Sequence, residues 1–195
     1  MFRAIKVRLY PNNEQEQELN KALGAYRFVY NYMLAKKQSA YETDKTNLSA
    51  AYLSKWFHEV LLKDEQYAWL REQNAHVMNQ AINQMDDAYQ KFFKQNNGFP
   101  KFKSKKDNQS VLLPRDAVSK CNTFETQCIT LTTSIQNLKF SCSDLYHKCF
   151  QKYKDSIRSA TLLKTKSGDF FLSILFDIPE SELVVKESML KQQDL

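Results

Sequence analysis

Hydrophobic and polar positions divide the chain into stretches of different period. Over residues 2–9, Ile5, Val7 and Leu9 alternate with Lys6 and Arg8, the two-residue period of a strand with one buried and one basic face. Pro11 ends it, having no backbone N–H to give to a ladder. From Asn12 the period becomes helical. Leu19, Leu23, Tyr26, Tyr30, Met33 and Leu34 fall on one stripe. Glu14, Glu16 and Glu18 occupy the opening turns, and Lys36 and Lys37 mark the expected end, as the helix dipole favours. A polar turn, Glu42 to Asn47, leads into a second expected helix over 48–62 with Leu53, Trp56, Phe57, Val60 and Leu61 in phase. A short segment holding Tyr67, Trp69 and Leu70 follows. The third helix is expected over 75–96, with Met78, Ala81, Ile82, Met85, Tyr89 and Phe92 on its stripe and Asn97-Gly98 as its stop. Three helices with aromatic stripes predict an antiparallel bundle.

Beyond Pro114 the pattern turns strand-like over 127–132, 137–142, 157–165 and 170–178. The last two flank Ser167-Gly168-Asp169 and read as a β-hairpin. The strand at 2–9 has only these distal strands to pair with. An α+β fold follows: a discontinuous β domain of residues 1–10 and 108–179, an inserted helical domain of 11–107, and a polar tail over 180–195.

Composition narrows the classes. The chain has 195 residues, 43% hydrophobic and 26% charged, with only 3 glycines and 4 prolines; that is a globular composition, not a collagen-like or low-complexity one. No stretch approaches the roughly 18 apolar residues of a bilayer span, and the amino end has no signal-peptide core. The expectation is a cytoplasmic protein with no membrane partner. Net charge is +6, unevenly spread: residues 99–166 hold thirteen cations against five acids. Within them, FPKFKSKK (99–106) offers Lys101, Lys103, Lys105 and Lys106 as phosphate contacts, and Phe99 and Phe102 to stack on bases. A solvated interdomain loop would have the same composition.

Catalytic signals are missing from the sequence. It contains no G-x-S-x-G, H-E-x-x-H, P-loop or Gly-rich dinucleotide motif, so no cofactor and no catalytic constellation are expected. Asp86 and Asp87 point about 100° apart on a helix and suit a solvated face. His58 and His76 each lack a second histidine at i+4. Cys121, Cys128, Cys142 and Cys149 form two C-x6-C pairs, a spacing poorer for zinc than for reduced, half-buried strand cysteines.

The order RLYPNNEQEQELNKALGAYRFVYNYMLA, YAWL, AINQMDDAYQKFFK and GFPKFKSKKDNQS resembles the amino-terminal half of the TnpB-like (OrfB) proteins of bacterial insertion sequences, from about residue 1 to 178. Its markers are R-L-Y-P at 8–11, R-F-V-Y-N at 27–31 and G-F-P-K-F-K-S-K at 98–105. The resemblance implies a wedge-like, oligonucleotide-binding β-barrel with an inserted helical recognition domain. It further implies RNA-guided DNA cleavage by the whole protein, with double-stranded DNA beside a short target motif and a transposon-end guide RNA as partners. Ser49 with Ala50, and Asn74 to Asn79, would then face the motif; His76 and Asn79 can hydrogen-bond a base edge, whereas Ala50 and Ala75 cannot. Asn74 would serve equally as a helix N-cap. Lys6, Arg8, Lys101, Lys103, Lys105 and Lys106 would be phosphate contacts, while Arg27 and Tyr30 lie near the apolar stripe and suit packing.

That family's nuclease half carries three metal-binding acids and a zinc ribbon, and opens soon after the position of residue 178 with G-I-D-x-G. This sequence reads IPESELVVKESMLKQQDL there. The expectation is therefore a binding half that does not cut DNA alone, with a split endonuclease completed by a separate nuclease chain, or a degenerate remnant, as alternatives. Residues 121–156 also depart from the family: LTTSIQN replaces its Leu-Pro-Lys-x-Gly stretch and DLYHKCFQKYKD is additional.

Overall fold

A computed structural model describes residues 2–113, 127–131 and 135–178. Cys121 and the expected tail at 180–195 lie outside the described residues. The chain divides into two compact units: one takes Met1–Pro11, Leu113–Leu163 and the stretch from Asp169, the other Asn12–Leu112 with Lys164–Gly168.

The second unit is helical. Its first helix, α1 (Asn13–Asp44), starts in a capping box: the Asn12 side chain accepts from the Gln15 N–H at 2.8 Å, and Gln15 Oε1 accepts from the Asn12 N–H at 2.9 Å. Two orphan amides of the first turn are thereby satisfied. All six predicted stripe residues are buried. The helix does not stop at Lys36 and Lys37. It continues two further turns to a left-handed Lys45, φ 61°, whose N–H donates to the Tyr41 carbonyl. Lys37 is not a terminal cation but a buried one, because Asp86 from another helix neutralises it at 3.2 Å.

Helix α2 (Ala50–Glu59) is shorter than the expected 48–62. The chain tightens at Val60 into 3-10 segments, Leu61–Lys63 and Glu65–Glu72, and the change of pitch leaves Val60 48% exposed while Leu61 stays buried. Helix α3 (Ala75–Gln95) buries Met78, Ala81, Ile82, Met85 and Tyr89, and leaves Phe92 half-buried. Its left-handed cap is Asn96, φ 56°, since asparagine tolerates that conformation better than most residues with a side chain. Leu19, Met33 and Leu34 of α1, Leu53 and Phe57 of α2, and Met78 and Ile82 of α3 are among the fully buried side chains of this unit.

The other unit holds most of an antiparallel sheet; residues 109–112 of its second strand and Lys164 fall in the helical unit. The strands are β1 (Phe2–Tyr10), β2 (Gln109–Leu113), β3 (Cys128–Ile129), β4 (Leu138–Ser141), β5 (Ile157–Lys164) and β6 (Phe170–Asp177), in the order β2-β5-β6-β1-β4-β3. β1 pairs antiparallel with β6 along Phe2 to Leu9 and with β4 through Arg8 to Tyr10, so the amino-terminal strand finds its partners among the distal strands, as its pattern requires. The hairpin is present: β5 and β6 are neighbours, and Gly168, at φ +96°, donates its N–H to the Thr165 carbonyl across the turn.

The sheet is open, with β2 and β3 at its ends. A closed barrel is not what the described residues form: closure needs the end strands to pair, and β3 contributes two residues. Two elements were not foreseen. Gln109–Leu113 is a strand, and DLYHKCFQKYKD contains α4 (Asp144–Tyr153). α4 supplies the inner face of the sheet with Phe150, whose ring lies 6.0 Å from Phe140 and 5.6 Å from Phe176. Cys149 is buried on this helix, not on a strand, while Cys128 and Cys142 are half-buried free thiols. Among the described residues no helix is long and apolar enough to cross a membrane.

Candidate nucleic-acid interface

The loop after α3 is anchored before it is basic. Asn31, on the exposed side of α1's stripe, clasps the Lys103 backbone: its Oδ1 accepts the Lys103 N–H at 2.8 Å and its Nδ2 donates to the Lys103 carbonyl at 2.9 Å. Pro100 is buried beside this anchor in the sequence. Arg27 donates to the Gln109 side chain, fixing the far end of the loop. Asn31 of the R-F-V-Y-N marker therefore ties the G-F-P-K-F-K-S-K marker to α1, and Arg27 ties down the residues that follow it.

The four lysines of this loop differ. Lys101, Lys105 and Lys106 are exposed. The Lys103 ammonium instead lies 4.5 Å from the Tyr30 ring centre and 5.8 Å from that of Tyr26, and burial holds its pKa below the ordinary lysine value. It is half-committed to packing. Burial likewise pushes the Tyr26 and Tyr30 phenols up. A Ser104 turn shapes the tip, its hydroxyl accepting the Lys106 N–H at 3.2 Å.

Two cations that sequence reasoning missed join this cluster from the β5–β6 turn. Asn108 accepts the Lys166 N–H at 3.0 Å, and the Lys166 ammonium lies 3.9 Å from Asp107; Lys164 donates to Asn20 on α1. About sixty positions separate Asn108 from Lys166, and no local pattern links them. The result is a patch within the helical unit holding Lys105, Lys106, Lys164 and Lys166 about Asp107, beside a cavity of about 220 Å³ that Tyr26, Arg27 and Phe102 help to line.

In the β unit, Lys6, Arg8 and Tyr10 share the exposed face of β1. The Lys6 ammonium lies 4.4 Å from the Phe171 ring centre. Arg8 pairs with Asp169 and stacks near Tyr10, and Tyr10 stands opposite the exposed Lys139 of β4. This face is basic and aromatic, the combination that holds a phosphate backbone and its bases.

The expected motif-reading residues sit at helix starts and are largely engaged there. Ser49 caps α2, its hydroxyl accepting the Tyr52 N–H at 3.2 Å, and Asn74 caps α3 by accepting the His76 N–H at 2.8 Å. Asn79 Oδ1 lies 3.2 Å from both Ser54 Oγ and His58 Nε2, joining α3 to α2. His76 is exposed. Among the described residues no group of three or more His, Cys, Asp or Glu side chains could hold a metal ion.

The helix-turn-helix domain model of OrfB from IS605-type elements matches residues 1–46, which here form β1 and the single helix α1. The “Putative RNA-guided DNA endonuclease InsQ” of Escherichia coli K12 is 28% identical over 114 residues, covering 58% of this chain and 28% of InsQ. A Streptomyces pristinaespiralis protein with the same description is 31% identical over 112 residues, covering 55% of this chain and 27% of its own length. The chain thus spans little more than a quarter of these two relatives. The virulence protein VsdF of Salmonella dublin is 36% identical over 113 residues, which cover 54% of this chain and 95% of VsdF. A Cas12f1 chain, from a complex with guide RNA and target DNA, overlaps 92% of this chain at 12% identity and a TM-score of 0.43, too distant to assign the fold. With its R-L-Y-P, R-F-V-Y-N and G-F-P-K-F-K-S-K markers and with these relatives, the chain belongs to the TnpB-like (OrfB) family of insertion-sequence proteins.

Proposed function

We propose that this chain is the nucleic-acid-binding portion of a TnpB-like protein, gripping a guide RNA and the double-stranded DNA beside a short target motif. The observation that carries the proposal is the lysine patch of the helical unit: Lys105 and Lys106 on an anchored loop that also carries Lys101, with Lys164 and Lys166 brought beside Asp107 from a distant turn. Cations held on a fixed surface with one acid among them suit a phosphate backbone, because each phosphate neutralised releases condensed counterions. The exposed face of β1, with Lys6 and Arg8, supplies a second basic and aromatic surface. The two relatives described as RNA-guided DNA endonucleases support the same partners.

In this reading the β unit plays the part of the family's wedge-like, oligonucleotide-binding domain, over residues 1–10 and 108–179, and residues 11–107 form the inserted recognition domain. His76 is the exposed base-reading candidate at the start of α3, with Ser49, Asn74 and Asn79 supporting it as caps and ties. Cleavage belongs to a nuclease portion supplied outside residues 1–178.

The test is to express the chain beside its native flanking DNA and sequence the RNA that copurifies at moderate salt. Binding to duplex DNA and to that RNA is then measured from 50 to 300 mM salt. A discrete transposon-end RNA, and affinity that falls steeply as salt rises, are expected. No affinity at 50 mM salt, or affinity indifferent to salt, would overturn the reading.

A further inference from the structure

A second concavity in the helical unit shares no residue with the one beside Lys103. It measures about 440 Å³ and is walled by Tyr41 of α1, Tyr89, Phe92 and Phe93 of α3, and Phe99 of the loop. Phe99 stands edge-on to Tyr89 at 5.6 Å and to Phe92 at 5.3 Å, and Phe93 lies nearly parallel to Tyr89 at 6.3 Å. These rings hold one another in place, yet Phe93 is 72% exposed, Tyr41 56% and Phe99 48%. Large apolar faces kept in water around a preformed cavity of this size suit a ligand that covers them.

The polar groups define the ligand. Lys37 is part of the lining, but its charge is consumed by Asp86 and by the Leu48 carbonyl. Thr46 and Asn47 line the cavity and bring donors and acceptors together, and Glu42 adds an acceptor. Beside it, Lys45 after α1 and Lys101, two residues from Phe99, are exposed, and neither has an ion-pair partner among the described residues. The Lys45 ammonium lies 5.1 Å from the Tyr41 ring centre. An occupant must therefore be planar, bear hydrogen-bonding edges and be tied to anions.

We propose that this cavity receives an unstacked base of a single nucleic-acid strand, with the adjoining phosphates against Lys45 and Lys101. The proposal rests on the nucleic-acid reading above and adds to it a base-stacking site that neither the lysine patch nor the caps of α2 and α3 provide. Stacking needs only a π-face, so the site takes bases with little sequence preference.

The probe is a twelve-nucleotide single strand, in RNA and DNA forms, with 2-aminopurine at its centre, beside the same strand with an abasic centre. Quenching of the 2-aminopurine on binding is expected, together with affinity roughly ten-fold or more above that of the abasic strand. Phe93→Ala with Phe99→Ala should abolish both effects and leave the salt dependence of duplex binding unchanged. Circular dichroism of that variant, whose replaced rings are exposed, confirms that it is folded. Equal affinity for the two strands with duplex binding intact would overturn this site alone, and so would a protein that copurifies with the wild type and is lost with the double variant while strand binding is unaffected. Failure of every oligonucleotide to bind would overturn the nucleic-acid reading and the site with it.

Discussion

Lys37 shows how one side chain can be misplaced by a rule that is right on average. A lysine late in an expected helix suits the dipole, but this one is 7% exposed, pairs with Asp86 and donates to the Leu48 carbonyl. A buried pair is costly to break from one side and cheap to replace from both. Asp86→Ala should therefore cost about 3–5 kcal/mol, while Lys37→Met with Asp86→Leu should stay within about 1–2 kcal/mol of wild type; urea denaturation of the three proteins measures both. The opposite case is Asp177. Its bond to Arg158 holds its carboxyl below the ordinary 3.8. The folded value being the lower, its contribution is present above the ordinary value and is lost as pH falls through the folded one. In Arg158→Gln the acid limb of stability below pH 4 should be shallower than in wild type, and the profile above pH 6 should keep its shape.

At the scale of elements, helix starts in this molecule carry double duties that mutation can separate. Asn74→Ala removes the cap of α3 and should cost about 1 kcal/mol, while Asn74→Ser should restore stability by keeping an oxygen at the same place. If the reading of a target motif also runs through Asn74, the serine variant regains stability without regaining duplex affinity; thermal melts and binding curves on the same preparations distinguish the two roles. The helices themselves were legible because their stripes are long: six residues predict α1 and all six are buried. The strands β1, β5 and β6 were legible through alternation and a Gly-containing turn. Gln109–Leu113 was not, because five residues directly after a lysine-rich loop give too little pattern to separate strand from loop. α4 was passed over as an extra segment, although Cys149, Phe150 and Tyr153 mark its buried side.

For the whole molecule, the excess of cations across residues 99–166 does not say which of those cations lie together. Lys103 is drawn into the Tyr26 and Tyr30 rings, and Lys164 and Lys166 enter the patch only because the turn that carries them bonds Asn20 and Asn108. Their position depends on tertiary structure and has no signature in a linear window. Replacing Lys105, Lys106 and Lys166 with alanine should lower the slope of log affinity against log salt by about 1 for each phosphate that is no longer neutralised. Replacing Lys103 with methionine should change that slope less than any one of them. Titration of duplex binding at several salt concentrations tests the order.

The pairing of β1 sets a timetable for the making of this protein. Arg8 and its partner Asp169 are 161 positions apart, and β1 meets β6 along eight residues but β4 along only three. At about 5–20 residues per second of synthesis, β1 waits roughly ten to thirty seconds for β6, with Ile5, Val7 and Leu9 uncovered. Residues 12–112 need no such delay, since α1, α2 and α3 are all available once Gln95 is made. The helices can be in place while the first strand is still vulnerable to chaperones, proteases and other nascent chains, so slow translation between Asn97 and Phe170 should lower the yield of folded protein more than the same pause placed before Ala75.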